Sequence, residues 1–191
     1  QFFKCLSPDN VKMQHYHNRV RTMTGRSTTV DKNLAIRKME KGDVTTITAL
    51  IKESMGEVWA HCAKDDMKES LTASMYVLQR RYPLLTYYTA VYKNKAVGVC
   101  GLYTQPTDPR SVCWVCWTAV NKRYQSKGIG GALLNRAIAA ARRRNMRLIC
   151  VWTASHIGTV SFYKRFGFRE TGRISNYFSR GSDMVFMAMK L

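Results

Sequence analysis

Apolar residues begin to recur in regular periods at Leu34. Leu34 to Arg37 reads as a short strand, and Asp43 is placed to N-cap a helix carrying Ile47, Leu50 and Ile51 on one face. A second helix is expected next. Asp65 or Asp66 would cap it, Met67, Leu71, Met75 and Leu78 recur at helical spacing, and Arg80-Arg81-Tyr82-Pro83 ends it. The period then drops from about 3.6 to 2. Leu85 to Tyr92 and Ala96 to Tyr103 form two β-rich runs joined by Lys93, Asn94 and Lys95, which predicts a hairpin. Val112 to Val120 is rich in Val, Trp and Cys and lacks charge, as a centrally buried strand does. Residues 131–144 carry the helical stripe Leu134, Ile138 and Ala141, with Arg142, Arg143 and Arg144 at the negative end of the dipole and Asn145 able to close the helix in left-handed geometry. Met146 to Thr153 reads as a strand and Ile157 to Phe166 as a short helix stopped by Gly167. Phe168 to Tyr177 and Met184 to Met189 read as two last strands about a Ser-Arg-Gly-Ser-Asp turn. The order predicts an α/β (α+β) domain over 34–191 with a mixed sheet. Residues 1–33 show no sustained period and read as an N-terminal extension, an arm or loosely attached segment.

Charge adds a second layer. Thirty-one Lys and Arg against twelve Asp and Glu give +19, which disfavours cationic partners and favours phosphates, nucleic acid, acidic lipid surfaces or acidic proteins. No carboxylate side chain occurs between Asp108 and Glu170, while that span holds Lys122, Arg123, Lys127, Arg136, Arg142 to Arg144, Arg147, Lys164 and Arg165. A polyanionic ligand is expected there, the alternative being a solvated basic face. No apolar run approaches the roughly 20 residues of a membrane-spanning helix. The six cysteines are scattered through apolar runs and are expected to be reduced, which points to an intracellular, cytoplasmic setting, although a targeting signal would precede Gln1. Cys113-x-x-Cys116 sits in a strand, where positions three apart face opposite sides, so no metal site is expected.

The chemistry concentrates after Val120. Asn121-Lys122-Arg123-Tyr124 leads to Gln125-Ser126-Lys127-Gly128-Ile129-Gly130-Gly131, which opens the arginine-tailed helix. A strand, a glycine-rich turn and a helix N-terminus in succession bring unpaired N–H groups and a positive dipole end close to a ligand, an arrangement that suits a diphosphate. No Gly-x-x-x-x-Gly-Lys-Ser/Thr is present, and the third glycine of the dinucleotide fingerprint is misplaced.

Gln125-x-x-Gly128-x-Gly130 resembles the coenzyme-A loop of the GNAT acetyltransferase superfamily. Ser161-Phe162-Tyr163-Lys164-Arg165-Phe166-Gly167-Phe168 is similar to that family's Phe-Tyr-x-x-x-Gly-Phe element, and Leu34-Ala-Ile-Arg37 with Asp43 resembles its opening strand and helix. The resemblance implies acetyl-CoA as co-substrate and a primary amine as acceptor. It places the pyrophosphate on Gln125, Ser126, Lys127, Gly128, Ile129, Gly130 and Gly131, and Ala119 and Val120 beside the thioester. The Val120 N–H would meet the thioester oxygen, and Tyr163 would protonate the departing thiolate, its phenol being neutral at pH 7. Tyr163 can also be read as core packing. His156 stands where the family has an Asn, and either hydrogen-bonds a pantetheine amide or caps the helix.

The strand ending at Val120 lacks the carboxylate that many relatives use as base, which leaves Glu57, His61, Asp65 and Asp66 as candidates. Trp114, Trp117, Tyr87, Tyr88 and Tyr103 are candidates for an apolar acceptor pocket, with ordinary core packing as the alternative. Direct transfer in a ternary complex is expected, since nothing in the sequence activates Cys116 or Cys150. The competing readings are a basic nucleic-acid-binding module and a catalytically silent acyl-CoA sensor. A homodimer is allowed.

Overall fold

The computed structural model describes residues 33–72, 84–155 and 158–191. The expected N-terminal arm, the second helix's Met75 and Leu78, and its Arg80 to Pro83 end lie outside them. The elements are β1 (Leu34–Lys38), α1 (Asp43–Met55), α2 (Glu57–Thr72), β2 (Leu85–Tyr92), β3 (Lys95–Tyr103), β4 (Val112–Val120), α3 (Ile129–Arg143), β5 (Leu148–Ala154), α4 (Thr159–Arg165), β6 (Arg169–Ser179) and β7 (Ser182–Lys190). The seven strands form one mixed sheet in the order β1-β2-β3-β4-β5-β7-β6. Every neighbouring pair is antiparallel except β4 and β5. None of the described helices is long and apolar enough to cross a membrane.

Two apolar cores result, one on each face of the sheet. Ile47, Leu50 and Ile51 of α1 and Ala60, Ala63 and Met67 of α2 pack on Tyr87, Val99, Tyr103 and Cys116. On the other face Leu133, Leu134, Ala137 and Ala141 of α3 and Tyr163 of α4 pack on Tyr88, Cys100, Leu102, Val115 and Ile149. Cys113 and Cys116 fall in different cores, one on each face. Cys100, Cys113, Cys116 and Cys150 are free thiols as expected, whereas Cys62 is disulfide-bonded, so the all-reduced expectation does not hold throughout.

Local geometry follows the side chains. Lys93 and Asn94 both adopt positive φ, 47° and 61°, which makes the β2–β3 connection a two-residue type I′ turn whose twist matches the strands. Asn145, at φ 55°, follows α3 in the left-handed conformation the sequence anticipates. The second helix departs from expectation. It starts at Glu57, because Gly56 alone, at φ 99°, breaks it from α1, so Asp65 and Asp66 lie inside the helix and cap nothing.

Asp43 is likewise not the N-cap. Gly42 occupies that position without a side-chain cap, and Asp43 sits buried in the first turn. Its carboxylate accepts from Arg37 Nη1 at 2.7 Å, Arg37 Nη2 at 2.9 Å and the Glu40 amide at 2.9 Å, which ties β1 to α1. Burial opposes ionisation of Asp43, but the Arg37 and Glu40 hydrogen bonds outweigh it and hold its pKa below the usual carboxylate value. Asp43→Asn should therefore lose about 2–3 kcal/mol at pH 7, since it removes the buried carboxylate that accepts both Arg37 hydrogen bonds and leaves only the exposed Glu40 carboxylate, 3.5 Å away. A folded pKa below the unfolded one means that this stability is full above a pH of about 4 and disappears as pH falls through the folded value. Urea midpoints of the two proteins should accordingly draw together as pH falls below the ordinary carboxylate range.

Candidate active site

β4 carries an irregularity that shapes the site. Gly101 pairs with Cys116 and Val99 with Ala119, so the single residue Cys100 faces both Trp117 and Thr118. Trp117 takes φ 45° there. The extra residue resets the alternation of faces. Cys116 and Trp117 both pack on the α1/α2 side, Ala119 follows them, and Val120 packs on the α3/α4 side. Thr118 donates to Cys100 Sγ at 3.5 Å on that second side.

Beyond the irregularity β4 leaves its parallel neighbour. Bridges between β4 and β5 run only from Val112–Leu148 to Trp114–Cys150, while β5 stays paired with β7 as far as Ala154. The gap opens a cleft of about 530 Å³ that reaches both faces of the sheet. Val120 opposite Gly98 is a non-hydrogen-bonded position, because the next residue, Asn121, donates to Val97 O at 2.8 Å. The N–H and C=O of Val120 are therefore directed away from β3, to the side where β5 has diverged. Its carbonyl accepts from Gln125 Nε2 at 2.9 Å, which fixes the start of the glycine-rich turn on the end of the strand.

The turn places Ser126 at φ 60° and Gly128 at φ 79° before α3 begins. Ala132 is the first residue of α3 to donate back, to Gly128 O at 2.9 Å, and Gly128 supplies no side-chain cap. The N–H groups of Ile129, Gly130 and Gly131 thus have no acceptor within the helix and point out of its positive end. Gly130 lines the cleft beside Phe162. Gly131 has a packing role as well, since a Cβ there would lie 2.9 Å from the Phe166 ring. Ile129 is buried, whereas Ser126, Lys127 and Gly128 are exposed at the rim.

Of the expected site residues, Ala119, Val120, Gln125, Gly130 and Tyr163 line this cleft. Tyr163 is buried and held edge-on between Phe162 and Phe168, with centroids 5.1 and 5.4 Å away. Burial raises its pKa well above the phenol value, against a hydrogen bond with Thr118 that lowers it. It is therefore protonated throughout the neutral range. His156 lies outside the described residues.

The arginine run is elsewhere. Arg142 to Arg144 end α3, about 20 Å along a 15-residue helix from its glycine start. Arg147 N–H donates to Ser111 O beside Arg110, at the opposite end of β4 from Val120. Lys122, Arg123 and Lys127 flank the turn, while Arg136 lies over the Tyr88 ring and Lys164 and Arg165 end α4, so the basic residues of 108–170 do not gather into the single anion site expected.

Among the candidate bases, Glu57 pairs with Lys52, and His61 lies 3.6 Å from Asp65, all four being exposed. Asp66 is half-buried and accepts from Trp117 Nε1 at 2.8 Å. Of the candidate acceptor aromatics only Trp117 lines the cleft. Tyr87, Tyr88 and Tyr103 are core, and Trp114 donates to Asp108 at 3.0 Å. Trp59, Trp152 and Phe178, which also line it, come from α2, β5 and β6, and no sequence pattern links them. Thr118 did carry a signal, as the one hydroxyl in an otherwise apolar strand.

The family model for the acetyltransferase (GNAT) family matches residues 44–168, from α1 to just past α4, and so covers β4, the glycine-rich turn, α3, β5 and Tyr163, while β6 and β7 lie beyond it. The chain belongs to this family. An uncharacterised N-acetyltransferase of Methanocaldococcus jannaschii is 36% identical over 64 residues, 33% of this chain and 28% of the relative, so the match spans under a third of that relative's length. Among solved structures, a Desulfovibrio desulfuricans protein assigned to the GNAT family superposes with TM-score 0.71 at 21% identity, over 82% of this chain and 98% of that one. A Salmonella typhimurium protein solved with acetyl-CoA gives TM-score 0.67 at 18% identity, over 84% and 95%. At these identities the likeness is one of fold.

Asp66 gives this GNAT chain a measurable pH signature. Burial pushes its pKa up to about 6, and the Trp117 hydrogen bond only partly offsets that. A folded pKa above the unfolded one of about 4 makes the protein lose stability as pH rises from about 4 to 6. Asp66→Asn keeps an acceptor for Trp117 and removes the buried charge. It should match wild type near pH 4 and exceed it by about 2 kcal/mol at pH 7.5, read from urea midpoints.

Proposed function

We propose that this GNAT-family chain transfers an acetyl group from acetyl-CoA directly to a primary amine in a ternary complex. The observation that carries the reading is the convergence of the uncapped start of α3 and of Tyr163 on the one cleft opened where β4 and β5 part. The residues present fit the co-substrate: the N–H groups at 129–131 suit a pyrophosphate, and Lys122, Arg123 and Lys127 add positive charge around them. Acetyl-CoA bound to the Salmonella typhimurium protein of the same fold supports this choice of co-substrate.

The co-substrate supplies the activated carbonyl; this chain positions it and moves the protons. The Val120 N–H, directed into the gap, would meet the carbonyl oxygen as charge develops on it. The neutral amine forms the N–C bond, the C–S bond breaks, and Tyr163 gives its proton to the departing sulfur. The surplus proton on nitrogen passes through water and restores the phenol. A phenol kept protonated by burial suits that donor role. A cysteine relay is disfavoured. Burial pushes the Cys116 thiol well above its ordinary value and raises Cys150 to about 11.

Tyr163→Phe should lower kcat by about 10²-fold while the Kd for acetyl-CoA changes little, measured as free thiol release and by calorimetry. Unchanged turnover would remove Tyr163 from the mechanism. Gly130→Asp sets a carboxylate at the positive end of α3. Its Cβ has room, the nearest atom being 3.6 Å away, so the fold should hold while acetyl-CoA binding weakens at least about tenfold.

A further inference from the structure

We propose that the end of the cleft walled by Trp59, Trp117, Trp152 and Phe178 is the acceptor subsite, and that it takes a primary amine carried on an aromatic or apolar body. The proposal rests on the acetyltransferase reading and narrows its substrate class. The four rings come from α2, β4, β5 and β6 and form a continuous wall. Trp59 stands 6.0 Å from Trp117 at 61° and 6.1 Å from Trp152 at 49°, and Trp152 lies 6.2 Å from Phe178 at 26°. Trp59, Trp152 and Phe178 keep part of their surface uncovered, unlike the fully buried Tyr87 and Tyr88. Large aromatics gathered from separate elements, three of them left partly open and backed by the buried Trp117, offer flat apolar area to a ligand.

Charge distribution selects among amines. The described side chains lining the cleft carry no formal charge. A polyamine or an amino sugar brings several cations or hydroxyls that need fixed polar partners, and leaving them unpaired costs binding energy. The nearby carboxylate, Asp66, accepts from the Trp117 indole N–H and is not among the groups lining the cleft. The net charge of +19 further disfavours polycations. One ammonium on a flat or apolar body meets no such obstacle. Indole faces attract it within about 6 Å of a ring centroid.

The same surroundings explain how transfer proceeds without a carboxylate on β4. An ammonium that gives up part of its hydration against this uncharged wall has its pKa lowered by desolvation, against the attraction of the indole faces, so its proton leaves to water more readily and the free amine is available for attack. The backbone at Trp117 is held at φ 45°, a conformation unfavourable for a bulky residue, with the indole N–H fixed on Asp66. The fold thus maintains a costly arrangement that directs this ring to the cleft.

The test is thiol release from acetyl-CoA by the full chain with 2-phenylethylamine, cyclohexylmethylamine, spermidine and a short peptide with a free N-terminus, together with acetyl-CoA binding by calorimetry. The two apolar amines should show kcat/KM at least tenfold above spermidine and the peptide. Trp152→Leu and, as a milder change at the edge, Phe178→Leu should raise the KM for 2-phenylethylamine about tenfold and threefold, with the acetyl-CoA Kd and the melting temperature unchanged. Equal or better turnover of spermidine or the peptide, or an unaltered KM in both variants, overturns the subsite and leaves the acetyltransferase reading standing. No thiol release with any amine while acetyl-CoA binds overturns the acetyltransferase reading, and the acceptor assignment with it.

Discussion

The extra residue at Cys116–Trp117 changes which side of the sheet the rest of β4 serves. Up to Cys116, even positions face α1 and α2; beyond the irregularity, Thr118 and Val120 face α3 and α4 instead. In a strand of period two, no substitution can achieve that change; only an added residue can. The consequence is double. Trp117 joins the aromatic wall on one face, and its neighbour Thr118 hydrogen-bonds Tyr163 on the other. Gly101 permits the close approach required opposite the irregularity, since a Cβ there would lie 2.4 Å from the Tyr87 ring and 2.5 Å from Cys116 Sγ.

The parting of β4 and β5 depends on the strands outside them. A strand that loses one neighbour retains its backbone hydrogen bonding only if the other neighbour persists, and β3 and β7 persist to the ends of both. Groups on the inner edges then need other partners. Gln125, in the turn before α3, reaches the Val120 carbonyl, and Thr159 Oγ1, at the start of α4, donates to Ala154 O at 2.6 Å, so the last carbonyls of both strands are satisfied by side chains at the entries to α3 and α4. The turns that present the helix starts are therefore also those that finish the strands.

Much of this was legible in the sequence because it is local. The Lys93-Asn94 turn, the charge-free β4, the Asn145 stop and the glycine-rich entry to α3 are each specified by a few adjacent residues, and the structure has them within two residues of expectation. Long-range features were not legible. Asp65 and Asp66 resemble caps because the break at Gly56 is a single residue, too short to register against an unbroken helical period. Trp59, Trp152 and Phe178 are separated by up to 119 positions and meet only because the sheet order sets β6 beyond β7. The basic span looked like one ligand site because sequence proximity hides the length of α3, which carries its arginines away from the glycines.

Protonation then separates the two faces of the cleft. On the α3/α4 side, burial keeps a phenol protonated next to the positive end of a helix, where a leaving thiolate would need a proton. On the α1/α2 side the described residues that line the wall carry no formal charge, and a cation that gives up hydration there becomes easier to deprotonate than in water. Desolvation thus acts in the same direction on both partners, favouring the neutral acid and the neutral nucleophile. A carboxylate base on β4 would reverse the second effect by stabilising the ammonium. Its absence from the strand thus fits an aromatic wall against which lost hydration promotes release of that proton to water.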